Sequence, residues 1–225
     1  MAVGREFARQ LCALSAESAF GGQRLPELIV LTDEARQGPF ASVVEHLSAP
    51  PRCWVVFRDY AMPPAARLEA ATRARDLCAA RGITFLLARD AELAQRIGAD
   101  GVHLPQPLLP RLAQWRHAHP DFVWSAACHD GESLRTAATL GATIALVSPI
   151  FATRSHPGAS AMGTERLATL VRSQPRMPVY AMGGVGSASI AQLALARTGV
   201  AGIAGIDLVA DLLTSAGGER APECG

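Results

Sequence analysis

The strongest constraint in this chain is a recurrence: eight short apolar runs, rich in β-branched residues, separated by segments of helical character. They lie at 28–31, 54–57, 83–87, 101–104, 123–126, 144–147, 179–182 and 202–206. Strand alternating with helix implies parallel strands, because a crossover helix returns the chain to the same edge of the sheet. Eight such units in 225 residues suit a single closed (β/α)8 TIM barrel of class α/β. An open doubly wound sheet is the alternative. The barrel is preferred because each run is apolar on both faces and no GxGxxG opens the first unit.

The connecting segments agree. Residues 65–80 place Leu68, Ala71, Arg75 and Cys78 on one stripe of a 3.6-residue repeat and stop at Arg81-Gly82, where glycine tolerates a left-handed cap. Residues 90–97 and 130–140 each begin at a capping Asp and end before Gly98 and Gly141. Both lead through Gly-Ala-x into the next apolar run, a quasi-repeat of one unit. Residues 1–19 read as an extra amphipathic helix placed under the barrel, 20–214 as the barrel, and 215–225 as a flexible Gly-rich tail.

Charge narrows the function. The 21 basic residues are all Arg and nearly balance 20 acidic ones, so no net field favours nucleic acid or an anionic membrane as partner. Without Lys, Schiff-base chemistry and a Walker lysine are excluded. A phosphate must be held by Arg, His or backbone N–H. The five cysteines are scattered without a CxxC pair, so neither a disulfide framework nor a zinc site is indicated. No apolar run is long enough to span a bilayer. The expectation is a cytoplasmic protein with a small-molecule phosphate substrate, and a homo-oligomer is compatible with it.

In a barrel the residues just beyond each strand carry the chemistry. His129 is the acid/base candidate, since imidazole exchanges protons near neutrality; the competing structural reading is that it caps the helix starting at Asp130. His103 reads as a hydrogen-bonded residue inside the barrel. Gly183-Gly184, after the seventh run, can present bare N–H groups to a phosphate, or form a plain tight turn. The loop SPIFATRSHPG (148–158) reads as a lid whose Thr153, Arg154, Ser155 and His156 contact an anionic ligand, against a merely solvated loop.

The segments LTDEAR (31–36), LAQRIGADGVHLPQ (93–106), ACHD (127–130), VSPIFATRSHPG (147–158) and PVYAMGGV (178–185) resemble the thiamine phosphate synthase/TenI family in order and spacing. The resemblance covers about residues 28–206. It implies a (β/α)8 barrel of thiamine biosynthesis. One branch joins hydroxymethylpyrimidine diphosphate to a thiazole phosphate with Mg2+; the TenI branch includes tautomerases acting on the thiazole phosphate. Measured against the synthase pattern, the Gln-x-Arg-x-Lys after the second strand is Val56-Phe57-Arg58-Asp59-Tyr60, keeping only the arginine. The Asn-Asp after the third strand is Ala88-Arg89, and the acidic residue after the fourth falls at Leu108. A serine falls at Ala127, a lysine at His156, and the small residue after the eighth strand is Asp207. Both implied metal carboxylates are thus absent, with Arg89 as a replacement cation for a ligand phosphate. The resemblance therefore points to a TenI-like, metal-independent tautomerase with no cofactor. His129 is its acid/base, and Arg58, Arg89, Gly183 and Gly184 help bind the ligand. A synthase with a rebuilt diphosphate site, using Mg2+, and a non-catalytic thiamine-pathway binding protein are the alternatives.

Overall fold

The computed structural model describes residues 2–17, 20, 25–45, 47, 52–153, 158 and 160–208. The chain begins with helix α1 (Ala2–Ala16), then strand β1 (Leu28–Leu31), short helices α2 (Glu34–Gln37) and α3 (Phe40–Glu45), and β2 (Cys53–Phe57). It continues through α4 (Pro64–Ala79), β3 (Thr84–Ala88), α5 (Ala91–Ile97) and β4 (Gly101–Leu104). A 3-10 helix (Gln106–Arg111) runs into α6 (Leu112–Ala118), β5 (Val123–Cys128), α7 (Gly131–Thr139) and β6 (Ile144–Val147). The last elements described are α8 (Thr164–Ser173), β7 (Val179–Met182), α9 (Ile190–Leu195) and β8 (Gly202–Gly205). All neighbouring strands pair parallel in sequence order, and β8 returns to β1 through Leu28↔Ile203 and Ile29↔Ala204, closing the barrel.

Strand alternation sorts the side chains into two cores. Ile29, Leu31, Val56, Leu86, Ala88, Ile144, Leu146, Tyr180 and Ala204 form the barrel interior. Their neighbours Val30, Val55, Leu87, Val102, Cys128, Val147 and Ala181 face the helices. The interior is not wholly apolar as the short runs suggest: His103 and Ser125 are buried and hydrogen-bond each other, Nδ1 to Oγ, at 2.9 Å. Tyr180 also donates its hydroxyl to the Pro26 carbonyl at 2.9 Å. A buried polar group needs such a partner to offset its lost hydration.

Strand ends differ slightly from expectation. β5 runs two residues further, to Cys128, because Ala127 and Cys128 pair with Leu146 and Val147. β8 stops at Gly205, and the Ile206 carbonyl accepts from Gln37 Nε2 at 2.5 Å. The helix caps follow the residue chemistry. Asp90 accepts from Leu93 N–H at 2.9 Å, Gly98 closes α5 in the left-handed region, and Pro64 starts α4.

Helix α1 corrects one expectation. It does not lie under the barrel but packs on α9 and β8 in the outer layer, with Phe7, Leu11 and Leu14 buried in the barrel–helix core. Phe20, Leu25, Trp54 and Val123 are the side chains packed against the interior core from that side. Among the described residues Cys53, Cys78 and Cys128 are free and buried, whereas Cys12 is disulfide-bonded, so the sequence reading without a disulfide holds for those three and fails for Cys12. No helix among the described residues is long and apolar enough to cross a membrane. The expected tail, 215–225, lies outside the described residues.

Candidate functional site

A cavity of about 490 Å3 opens at the C-terminal ends of the strands. Arg58, His129, Thr153, Gly183 and Gly184 all line it, joined by Arg36, Ser148, Met182 and Asp207. The expected site residues Arg154, Ser155 and His156 lie outside the described residues.

Alternation explains the place of His129. In β5, Trp124, Ala126 and Cys128 face the helices, so the residue after Cys128 turns toward the barrel axis. Its Nδ1 lies 2.9 Å from the Ser148 carbonyl oxygen and 3.3 Å from Ser148 Oγ. A carbonyl only accepts, so Nδ1 carries the hydrogen and the neutral ring keeps its lone pair on Nε2. The imidazole does not cap α7. That role belongs to Asp130, whose carboxylate accepts Ser133 N–H at 2.7 Å in a capping box. Ser133's N–H and hydroxyl hold the Asp130 carboxyl below its usual range. The His129 backbone N–H is shared between Ser133 Oγ at 3.1 Å and Gln106 Oε1 at 3.2 Å, tying the ends of β4 and β5 together. Cys128 beside it is no nucleophile: burial pushes its thiol up to about 12.

Gly183 and Gly184 both adopt positive φ, at 87° and 66°. A Cβ on Gly184 would sit 2.4 Å from the Ala152 carbonyl oxygen, so glycine is required there by backbone and by space. The facing segment is pinned: Ile150 and Phe151 N–H donate to the Met182 and Gly183 carbonyls, each at 2.9 Å. Among the described residues, the N–H groups of Gly184 and Val185 have no protein partner. The strand 7/8 end of a barrel thereby offers backbone donors to an anion.

The cations divide. Arg58 Nε donates to the Thr32 carbonyl at 3.0 Å, with NH2 3.6 Å from Asp33, and its side chain reaches the cavity. Arg89 does not. It has a positive φ of 74°, its guanidinium lies 4.0 Å from the Tyr60 ring centroid, and it lines a neighbouring cavity of about 570 Å3. The residue expected to substitute for a metal beside the ligand is therefore turned onto an aromatic face. Asp90 is committed too, with Oδ1 on Leu93 N–H and Oδ2 3.4 Å from Arg67. Leu108 packs against the core.

Sequence reasoning missed Arg36. It stands on α2, one turn after β1, and pairs with Asp207 beyond β8. The motif LTDEAR contains it, but the partner is 171 residues away and only closure of the barrel brings the two together.

A family model described as thiamine monophosphate synthase matches residues 28–209. A putative thiamine-phosphate synthase 2 from Aquifex aeolicus is 31% identical over 185 residues, covering 82% of this chain and 97% of that protein. The thiamine biosynthesis bifunctional protein ThiM/ThiE of Symbiobacterium thermophilum is 35% identical over 155 residues, 69% of this chain, which spans 32% of that protein's length. Among solved structures, a thiamine phosphate pyrophosphorylase from Pyrococcus furiosus shares the fold. Its TM-score is 0.70 at 24% identity, over 84% of this chain and 94% of that one.

Proposed function

The chain belongs to the thiamine monophosphate synthase family, and from that premise we propose that it binds a thiazole phosphate and isomerises it by metal-independent proton transfer at His129. The observation that carries this reading is the imidazole at the cavity wall, with Nδ1–H held by the Ser148 carbonyl. Nε2 of the neutral ring removes a proton from a ring carbon, and the C–H electron pair moves into the thiazole. The resulting imidazolium, steadied by the same carbonyl, returns the proton to a second position, so substrate and product have the same atoms. The phosphate rests on the N–H groups around Gly184, and Arg58 and Thr153 line the remainder of the cavity.

Metal independence is supported by the donor set, which does not fit a divalent cation. Hard cations take several oxygen ligands, whereas the positions the resemblance assigns to carboxylates hold Arg89 and Leu108, and both Asp90 oxygens are engaged. Among the described residues, no three His, Cys, Asp or Glu side chains are grouped to hold an ion. A second reading, thiamine phosphate synthesis with Mg2+ at a rebuilt diphosphate site, is favoured by the names of the relatives, including the A. aeolicus protein matched over nearly its whole length.

One experiment separates them. The protein is incubated in D2O with the non-aromatic tautomer of the thiazole phosphate, and separately with the pyrimidine diphosphate plus thiazole phosphate, each with EDTA or Mg2+. Isomerisation with ring deuteration that survives EDTA is expected. Robust Mg2+-dependent formation of thiamine phosphate replaces this reading with the second, and binding without turnover in either arm makes the protein a non-catalytic binder.

A further inference from the structure

The phosphate end of the cavity contains a carboxylate, which a phosphate cradle ordinarily lacks. Asp207 lines it together with Gly183 and Gly184, and its carboxylate is paired with Arg36. A dianion placed beside that carboxylate meets like-charge repulsion.

The pair is mounted for exchange. Gln37, next to Arg36, clamps α2 over the seam between the first and last strands. Its Nε2 donates to the Ile206 carbonyl at 2.5 Å and the Leu31 carbonyl at 3.2 Å, and its Oε1 accepts Asp33 N–H at 2.9 Å. The helix is thus held independently of the ion pair. The Arg36 side chain is 24% exposed and that of Asp207 46% exposed, so the carboxylate can turn to water while the guanidinium stays at the cavity. A guanidinium fork binds a phosphate through two parallel N–H···O bonds.

We propose that Arg36 is the cation that receives the ligand's phosphate and that Asp207 is its resident competitor, so that the pair selects dianionic phosphomonoesters against monoanionic carboxylates. A dianion displaces Asp207 from Arg36, whereas a carboxylate ligand of the same charge as Asp207 gains nothing by the swap. This inference rests on reading the cavity as a phosphate site and adds the residues that set its selectivity.

The test is calorimetric titration of the full chain at pH 8 with inorganic phosphate and with acetate, for wild type, Asp207→Asn, Arg36→Gln and the double variant. Asp207→Asn is expected to bind phosphate about tenfold tighter and to gain acetate binding, because the competitor's charge is gone. Arg36→Gln is expected to bind phosphate about tenfold weaker, and the double variant to bind it more weakly than Asp207→Asn. Wild-type binding below detection that becomes measurable in Asp207→Asn counts as support. Unchanged or weaker phosphate binding in Asp207→Asn, unchanged binding in Arg36→Gln, or no binding by any variant overturns the inference. The isomerisation assay on the same preparations keeps the two readings apart. Affinities that shift as expected without turnover sink the tautomerase alone; turnover with indifferent affinities sinks the exchange alone.

Discussion

His129 owes its place to the two-residue period of β5 and its tautomer to one backbone carbonyl, so the proton-transfer role proposed for it is separable from any part in folding. His129→Ala is expected to lower turnover by about 10²–10⁴-fold, the range for a lost general acid/base, with phosphate binding retained. Its urea midpoint should barely move, since Asp130 and Ser133 provide the cap. Full turnover in a markedly destabilised variant would return His129 to a structural role. Gly184 gives a second test at this scale. With φ at 66° and the Ala152 oxygen 2.4 Å from the position of a Cβ, Gly184→Ala must move the 149–152 segment or the Gly183-Gly184 backbone itself. A loss of about 1–3 kcal/mol is expected from the strained backbone, together with weakened phosphate binding. Titration of phosphate against the variant checks the second part.

Single elements also make separable claims. Helix α7 begins where Asp130 and Ser133 satisfy each other's backbone, and this holds the chain leaving His129 at a defined angle. Asp130→Ala should cost about 1 kcal/mol, as capping substitutions do, and should impair turnover more than its small stability loss explains. Comparing urea midpoint with turnover rate decides whether the cap also serves the site. Helix α1 precedes the repeat yet fills a place in its outer layer, against β8 and α9. Leu11 is fully buried there. Leu11→Ala should therefore destabilise the barrel by about 2–5 kcal/mol, the range for a large-to-small core change. A change under about 0.5 kcal/mol, as at surface positions, would show α1 to be an appendage.

For the molecule as a whole, the interior histidine makes one definite contribution to the acid response. Burial first, and the Arg58 guanidinium second, push His103 down to about 3, from an ordinary value of 6.5. Between those values the unfolded chain binds a proton that the folded barrel refuses. The stability that His103 contributes is therefore full above about pH 6.5 and falls as pH drops toward 3, by at most about 1.4 kcal/mol per pH unit for one proton. Asp130, whose folded value is lowered, adds its loss only below about pH 4, where its unfolded form protonates. Urea titrations across pH 4–7 should show the slope in wild type and flatten it in His103→Gln; an unchanged slope would assign it to other groups. The barrel itself was readable from eight apolar runs, because inward and outward positions along a parallel strand are both buried and leave a local hydrophobic signature. His129 and the Gly183-Gly184 pair were readable for the same reason: each directly follows such a run. Arg89 shows where local reading ends, since its position in the motif placed it beside the ligand but its side chain settled on Tyr60. The sequence by itself determined strands, helix caps and the residues standing at strand ends, all of which depend on neighbours a few positions away. Only the tertiary structure decided that α1 joins the outer layer, that Ser148 sets the tautomer of His129, and that Arg36 meets Asp207 across the closing seam. Those contacts join residues far apart in the chain, and the closed sheet is what brings them within reach.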